Sequence, residues 1–565
     1  MKYLWMCIAI ITFCMVLAGC SCDDDDDQSA DTGPLDDDAM NDDAADDDQS
    51  DDDDTGDNDA SDNDISDDDA ASDDDISDDD IFDDDTAADD EIIDDDSADD
   101  DMTDDDIIDD DTVDDDTIDD DTVDDDTVDD DTIDDDTDLP HYGYVSPEPN
   151  NDIGIFVAKT GLNSNPGTME EPVLTIEHAM DLVSAAGKVV FVARGVYEES
   201  VVALASMYGG YEENGWTRDL EVNATSIVSQ GHAPGGTPGV SIFGGSQPDE
   251  LTVEGFTIRG GNDFQNTEGV HIERDHVTLR WNEIQAGMVW NYGASSGQSY
   301  GVSVEDSAAV LIIENEIRAG LVFVPAGEAE PWGVVIGNYA EVTLVSNRIR
   351  GGQVFQISFA PASIAVRSRS TLPVILINNQ LETSPSPQAY GYYTFGGGLL
   401  AHNTIVINGS QGRSCGAVMG HSAYPPSTET VLLNNIFRMG EQGQGAPAAI
   451  CPAVHNDLIT LAGNDLYGPA GFHLMEVDDV YIDDLAAVNA CDWTGCLEAR
   501  DNISTDPVFV SDADYHLNED SLCIDAGVDP APWYDELWVQ YDIDGNPRPW
   551  GGGWDIGMDE VKIGD

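Results

Sequence analysis

Positive charge is what this sequence has least of. Its 565 residues include 18 Lys and Arg against 120 Asp and Glu, a formal net charge of −102. The few basic residues form no cluster, which argues against a nucleic-acid partner. A Gly-rich phosphate loop, a nucleophile motif, an EF-hand and a GGxGxD repeat are all missing. Long apolar runs are missing too, because Tyr3–Val16 is shorter than a membrane span. The charge imbalance is local. Residues 21–138 hold 65 of the acidic residues and no Lys or Arg, whereas residues 139–565 hold the other 55 with 17 Lys and Arg. A mildly acidic body long enough to bury a large core therefore follows an acidic low-complexity segment.

Met1-Lys2, the apolar stretch and Leu17-Ala18-Gly19-Cys20 have the three-part layout of a secretory signal. The last four residues resemble the bacterial lipobox. That resemblance implies lipidation of Cys20 and a bacterial, outer-membrane, surface-exposed location, with the lipid anchor as the link to the membrane. The acidic segment that follows repeats pentads such as DDDTV. An apolar residue every fifth position advances about 140° around a helix and alternates faces in a strand, so neither form gains an apolar face. Residues 21–138 are expected to be a disordered, self-repelling spacer of roughly 60 Å or more. Its carboxylates predict diffuse, weak Ca2+ binding, but no Gly-turned loop is present to make a specific site.

The body punctuates itself. Thr175 is placed to cap a helix whose Ile176, Met180 and Val183 share one face, and Gly187 ends it. LRWNEIQAG (279–287), IIENEIRAG (312–320), LVSNRIRGG (344–352) and LINNQLETS (376–384) then place Asn282, Asn315, Asn347 and Asn379 at nearly constant spacing. Asn403, Asn435 and Asn464 continue the series less regularly. GVHI, GVSV and GVVI recur in step, as do GMVW, GLVF and GQVF. Three short strands per thirty-odd residues predict an all-β fold: a right-handed parallel β-helix with an N-terminal capping helix, seven to ten coils long. The repeated Asn is expected to form a structural ladder between coils.

Candidate binding residues come from one column and its flank. The residue after the ladder Ile or Leu is Arg259, Gln285, Arg318, Arg350, Glu382 and Arg438 in successive repeats. This column could grip an acidic polysaccharide or stay a solvated, locally paired face. Trp290, Tyr292, Trp332 and Tyr392 follow it in segments read as loops, where rings suit sugar stacking. Catalytic residues are not identified: Asp263, Asp275 and Asp306 are the only Asp in 255–409, and Arg367 and Arg369 have no acidic cluster beside them in sequence. His271 and His276 lack metal spacing, so no metal or other cofactor is expected. Cys491–Cys496 and Cys415–Cys451 are expected disulfides of an exported protein.

Residues 163–220 resemble the N-terminal module of bacterial pectate-lyase-like β-helices, a family of unknown function. DPVFVSDADYHLNEDSLCIDAG (506–527) and DIDGNPRPWGGGWDIGMDE (542–560) resemble the closing segment of many bacterial surface β-helix proteins, with Arg548 facing Asp542 or Asp555. Enzymes of this resemblance use Asp or Glu clusters that hold calcium and an Arg base, or paired Asp residues. The expected organisation is a signal peptide (1–20), a spacer (21–138), a cap with first coils (139–220), repeats (221–480) and a closing segment (481–565). The leading expectation is a non-catalytic surface protein that binds polysaccharide or another surface. A polysaccharide lyase or glycosidase and a structural coat protein are the alternatives.

Overall fold

The computed structural model describes residues 142–562, apart from 184–186, 232–237, 244–249, 292–295, 307, 326–327, 356–361, 411, 421–428, 442–444, 453–457 and 535–536. All of these fall in the second of the chain's two units, residues 124–565. Cys20 and the acidic segment lie outside the described residues. No described helix is long and apolar enough to cross a membrane.

The body is a parallel β-helix of three long sheets, the first with 12 strands, the second with 10 and the third with 11. The chain visits one strand of each sheet per coil. In one coil these are Ser296–Val304 (third sheet), Ala309–Ile313 (first) and Glu316–Arg318 (second). Strands pair in parallel with their counterparts one coil away, as in Ile317↔Ile349 and Val302↔Val334, except Val480–Ile482, which pairs antiparallel with His473–Val477 at the end of the third sheet. At about 4.8 Å per strand the first sheet is roughly 50 Å wide. It has more coils than the repeat count suggests, because the first coils lack the ladder Asn.

Inward residues of all three sheets, such as Val302, Ile312 and Ile317, form one continuous core. The helix Ile176–Val183 closes its N-terminal end by burying Ile176, Ala179, Met180 and Val183. Thr175 Oγ1 accepts from the His178 amide at 3.2 Å and caps this helix.

The stretch read as one ladder strand is two strands. It breaks at a residue in the left-handed region directly before each ladder Asn: Trp281, Glu314, Ser346, Asn378, His402, Asn434 and Asp501, with φ between 52° and 55°, and Gly463 at 66°. Non-glycine residues rarely hold that conformation, and the ladder holds it here. Asn347 Nδ2 donates to Asn379 Oδ1 at 3.0 Å and to Ile312 O at 2.7 Å, while its Oδ1 accepts the Asn315 amide at 2.9 Å. The same pattern runs from Asn282 through Asn315, Asn347, Asn379, Asn403, Asn435 and Asn464 to Asn502, where Asn489 ends it. GMVW, GLVF and GQVF supply only a side sheet of three strands. The true third sheet contains the GVxI segments, extended at their N-terminal ends.

Glycine sets the outer face of that third sheet. A Cβ on Gly301 would lie 2.5 Å from Ile317 Cγ2 and 2.6 Å from Gly333 O. The chain runs tight against the core there and skips a register pair between Tyr300 and Val302. Tyr300 packs with Trp332, Val335, Ile364 and Tyr390 in a cluster separate from the core, whereas Val302 points into it.

The closing segment straps the turn between the first and second sheets. Asn434 bonds Val528 N and O, both at 2.7 Å, and Asn378 donates to Trp538 O at 3.0 Å. Arg548 pairs with Glu560 at 2.9 Å, which corrects the expected Asp542 or Asp555 partner. Four donors already occupy the Asp542 carboxylate: the amides of Asp544, Asn546 and Glu560 and the Asn546 side chain. Asp542 thus organises a turn.

Candidate functional site

The arginine column exists as a register. Arg259, Gln285, Arg318, Arg350, Glu382, Val406 and Arg438 pair in line along the second sheet. Its charges are largely compensated. Arg318 contacts Glu316, Arg350 lies 3.1 Å from Glu382, and Arg438 lies 3.5 Å from Asp512. Val406 interrupts the column beneath Tyr515, so Arg438 stands apart from the rest.

The aromatics placed beside this column divide among three locations. Trp290 is exposed on the side sheet, tilted against Phe323 at 5.8 Å. Tyr292 lies outside the described residues. Tyr392 is fully buried in the core, where no sugar can reach it. Trp332 belongs to the outer face of the third sheet, but its ring is buried, at 1% exposure, and so cannot stack on a sugar as expected. Segments 296–304, 328–336 and 388–394 are strands of that sheet and not loops. Their alternation was obscured by the register skip at the glycine.

That outer face brings together groups far apart in sequence. Tyr300 stacks on Trp332 with centroids 5.2 Å apart and planes at 21°. The Arg367 guanidinium lies 4.2 Å above the Trp332 ring, 5.4 Å from Tyr393 and 5.7 Å from Phe395. Arg369 lies 5.8 Å from the same Trp332 ring. Such contacts hold a guanidinium by about 0.5–2 kcal/mol each. Glu330 sits 4.0 Å from Arg367 and accepts from Tyr300 Oη at 3.0 Å. Burial depresses the Arg367 pKa, and the charge of Glu330 opposes that shift. No carboxylate pairs with Arg369 among the described residues.

Toward the N-terminal end, His271 lies three register steps from Arg367, through Ser303 and Val335. That is about 14 Å along the face. His271 lies 2.8 Å from Glu268 and 2.9 Å from Glu273. Burial alone would lower its pKa. The hydrogen bond and charge of Glu268, with Glu273 and Glu305, overcome this and raise it to about 9. His276 is exposed in a turn with φ 58° and takes no part. The Cys415–Cys451 disulfide ties neighbouring strands of the same face, Cα atoms 6.1 Å apart. Its cysteines stand diagonally, Cys415 opposite Ala448 and Cys451 opposite Val418, and not at equivalent positions. Cys491 and Cys496 are also joined, whereas Cys523 is a buried free thiol.

A groove of about 740 Å³ crosses the turn between the first and second sheets. Its charged lining is Arg218 and Arg348 against Asp219, Glu221, Glu283, Glu314 and Glu316. That balance repels an acidic polymer. Beside it, buried Glu254 is held by Arg280 at 2.6 Å and by Arg218, an internal neutralised network.

No acidic cluster stands beside Arg367 and Arg369 in sequence, and their partners were missed. Glu330, Trp332 and Tyr393 come from the coils on either side, and only the strand register aligns them.

Residues 159–382 match a family described as "Protein of unknown function (DUF1565)". None of the curated proteins matches the chain. Among solved structures, pectate lyase Pel9A is similar at 11% identity and a TM-score of 0.35, over 74% of this chain and 97% of its own. A rhamnogalacturonan lyase is similar at 10% identity and a TM-score of 0.26, over 64% of this chain and 91% of its own.

Proposed function

We propose that this chain is a polysaccharide-binding β-helix protein, carried at the bacterial outer membrane by a lipid on Cys20 and displayed on the spacer of residues 21–138. The binding face is the outer face of the third sheet, and the ligand is an acidic polysaccharide. One observation carries this reading: Arg367 and Arg369 lie against a bed formed by Trp332, Tyr393 and Phe395, and Arg369 has no carboxylate partner among the described residues. Cations beside aromatic rings suit a chain of carboxylated sugars, because guanidinium pairs the carboxylates and the half-buried Tyr393 and Phe395 can meet apolar sugar faces, while the buried Trp332 only seats Arg367. The second-sheet arginines offer less, since Arg318 and Arg350 already hold carboxylates.

A lyase reading rests on Arg367 as well, because burial lowers its pKa. Both readings are tested by incubating the full chain with polygalacturonate and with an uncharged polymer of similar size, with and without calcium. Retention on polygalacturonate alone, with no unsaturated ends, is the expected result. Unsaturated ends would establish the lyase reading. Equal retention of the two polymers would overturn the arginine-based recognition.

A further inference from the structure

We propose a divalent-metal site, suited to zinc, in the C-terminal closure, with His516, Asp544 and Asp559 as its protein ligands. One ring nitrogen and two carboxylate oxygens from these residues lie within 4.8 Å of one another. They come from separate pieces of chain. His516 sits in Asp514–Leu517, which pairs with Phe509–Ser511, and the two aspartates flank the final turns of the closing segment.

The histidine is oriented as a ligand. Its Nδ1 faces the Asp514 carboxylate. A carboxylate on Nδ1 fixes the ring and leaves the Nε2 lone pair for a metal. Nε2 is sealed from solvent and paired with Asp544 Oδ2 at 2.7 Å, and zinc would take the place of the proton between them. Asp559 is 7% exposed, with one oxygen held by the Leu517 amide at 2.7 Å. Four carboxylates gather here: Asp514, Asp542, Asp544 and Asp559. Apart from His516, Arg348 lies 3.5 Å from Asp544 and Arg548 is engaged by Glu560. The site is short of positive charge.

The donor set selects the ion. Calcium takes six to eight oxygens, and magnesium prefers a largely hydrated octahedron. One imidazole and two carboxylates suit zinc, with water completing the shell. Tetrahedral ligands at about 2.05 Å stand about 3.3 Å apart. Reaching that from the 2.7 Å contact needs only a small shift of Asp544, whose side chain is 45% exposed. Bound zinc would fasten the hairpin to both turns of the closing segment.

The test uses the full chain, stripped with chelator, dialysed against micromolar zinc and then against buffer, with retained metal measured by mass spectrometry. His516→Ala and Asp544→Asn are treated identically, since the acidic segment adds the same diffuse binding to all three. We expect one zinc per wild-type chain that resists dialysis, its loss in both variants and an unchanged circular dichroism spectrum. Asp544→Asn keeps the test sound if His516→Ala fails to fold. Wild-type protein without retained zinc, or either folded variant with the wild-type stoichiometry, would overturn the site.

Discussion

Asn347→Ala tests whether the ladder holds the coils together or merely decorates the turn. The side chain is fully buried and takes part in four hydrogen bonds. Alanine leaves two main-chain groups without these partners: the Asn315 amide, now 2.9 Å from Oδ1, and the Ile312 carbonyl, now 2.7 Å from Nδ2. Asn315 Nδ2 keeps two other acceptors, Leu279 O and Ile313 O. Asn379 Oδ1 keeps the Asn347 amide. Each orphaned buried group costs about 1–3 kcal/mol, so about 4 kcal/mol is expected. Denaturant unfolding of the full chain measures the loss, with Gln380→Ala as a half-buried control that should stay within about 0.5 kcal/mol. Hydrogen exchange supplies a local readout: the Asn315 amide should lose protection before its neighbours do. A loss below about 1 kcal/mol with Asn315 protection intact would refute the reasoning.

Three further outcomes follow from the third-sheet face. His271 has a folded pKa raised from 6.5 to about 9, so its stabilising contribution is complete below about pH 6.5 and fades as pH rises through 9. Histidine NMR should place this titration well above 8, and His271→Gln should flatten the fall in stability between those values; a midpoint near 6.5 would contradict the Glu268 and Glu273 contacts. Replacing Cys415 and Cys451 together by Ser removes a cross-link across 36 positions. A chain-entropy argument gives a loss of about 4 kcal/mol, and a thermal midpoint unchanged between oxidised and reduced protein would show that the link is dispensable. Arg367→Ala with Arg369→Ala should weaken polygalacturonate binding at least about tenfold, a change of about 1.4 kcal/mol. Arg318→Ala with Arg350→Ala should change it less than about twofold, because exposed ion pairs contribute little; the reverse order would move the site to the second sheet.

Periodicity alone determined the architecture. The spacing of Asn282, Asn315, Asn347 and Asn379 reports coil length directly, because a stacked amide must recur once per turn of the solenoid. Thr175, Ile176, Met180 and Val183 show the capping helix by the same local logic. The pentads of residues 109–137 exclude an amphipathic element by period, a reading that needs no tertiary information. Three features could not be read this way. The left-handed residue that splits the ladder strand is Trp, Glu, Ser, Asn, His, Gly or Asp, so residue type carried no signal for it. The skip at Gly301 reverses the alternation within one strand, which hid that Tyr300 and Ser303 share the outer face. Tyr392, two residues after Tyr390 of the outer-face cluster, looks like the same kind of aromatic and is core.

What only the tertiary structure decided is which charges meet. Arg367 finds Glu330 and Trp332 one coil away and Tyr393 on the coil beyond, and Arg318 and Arg350 turn out to be neutralised by Glu316 and Glu382. His516 reaches Asp544 and Asp559 across the closing segment in the same way. The physical reason is common to all three. A periodic pattern fixes the shape of each coil through local backbone and packing terms, which act over a few residues. Side-chain electrostatics act over a few ångströms in any direction, and in a solenoid those ångströms are spanned by residues about thirty positions apart.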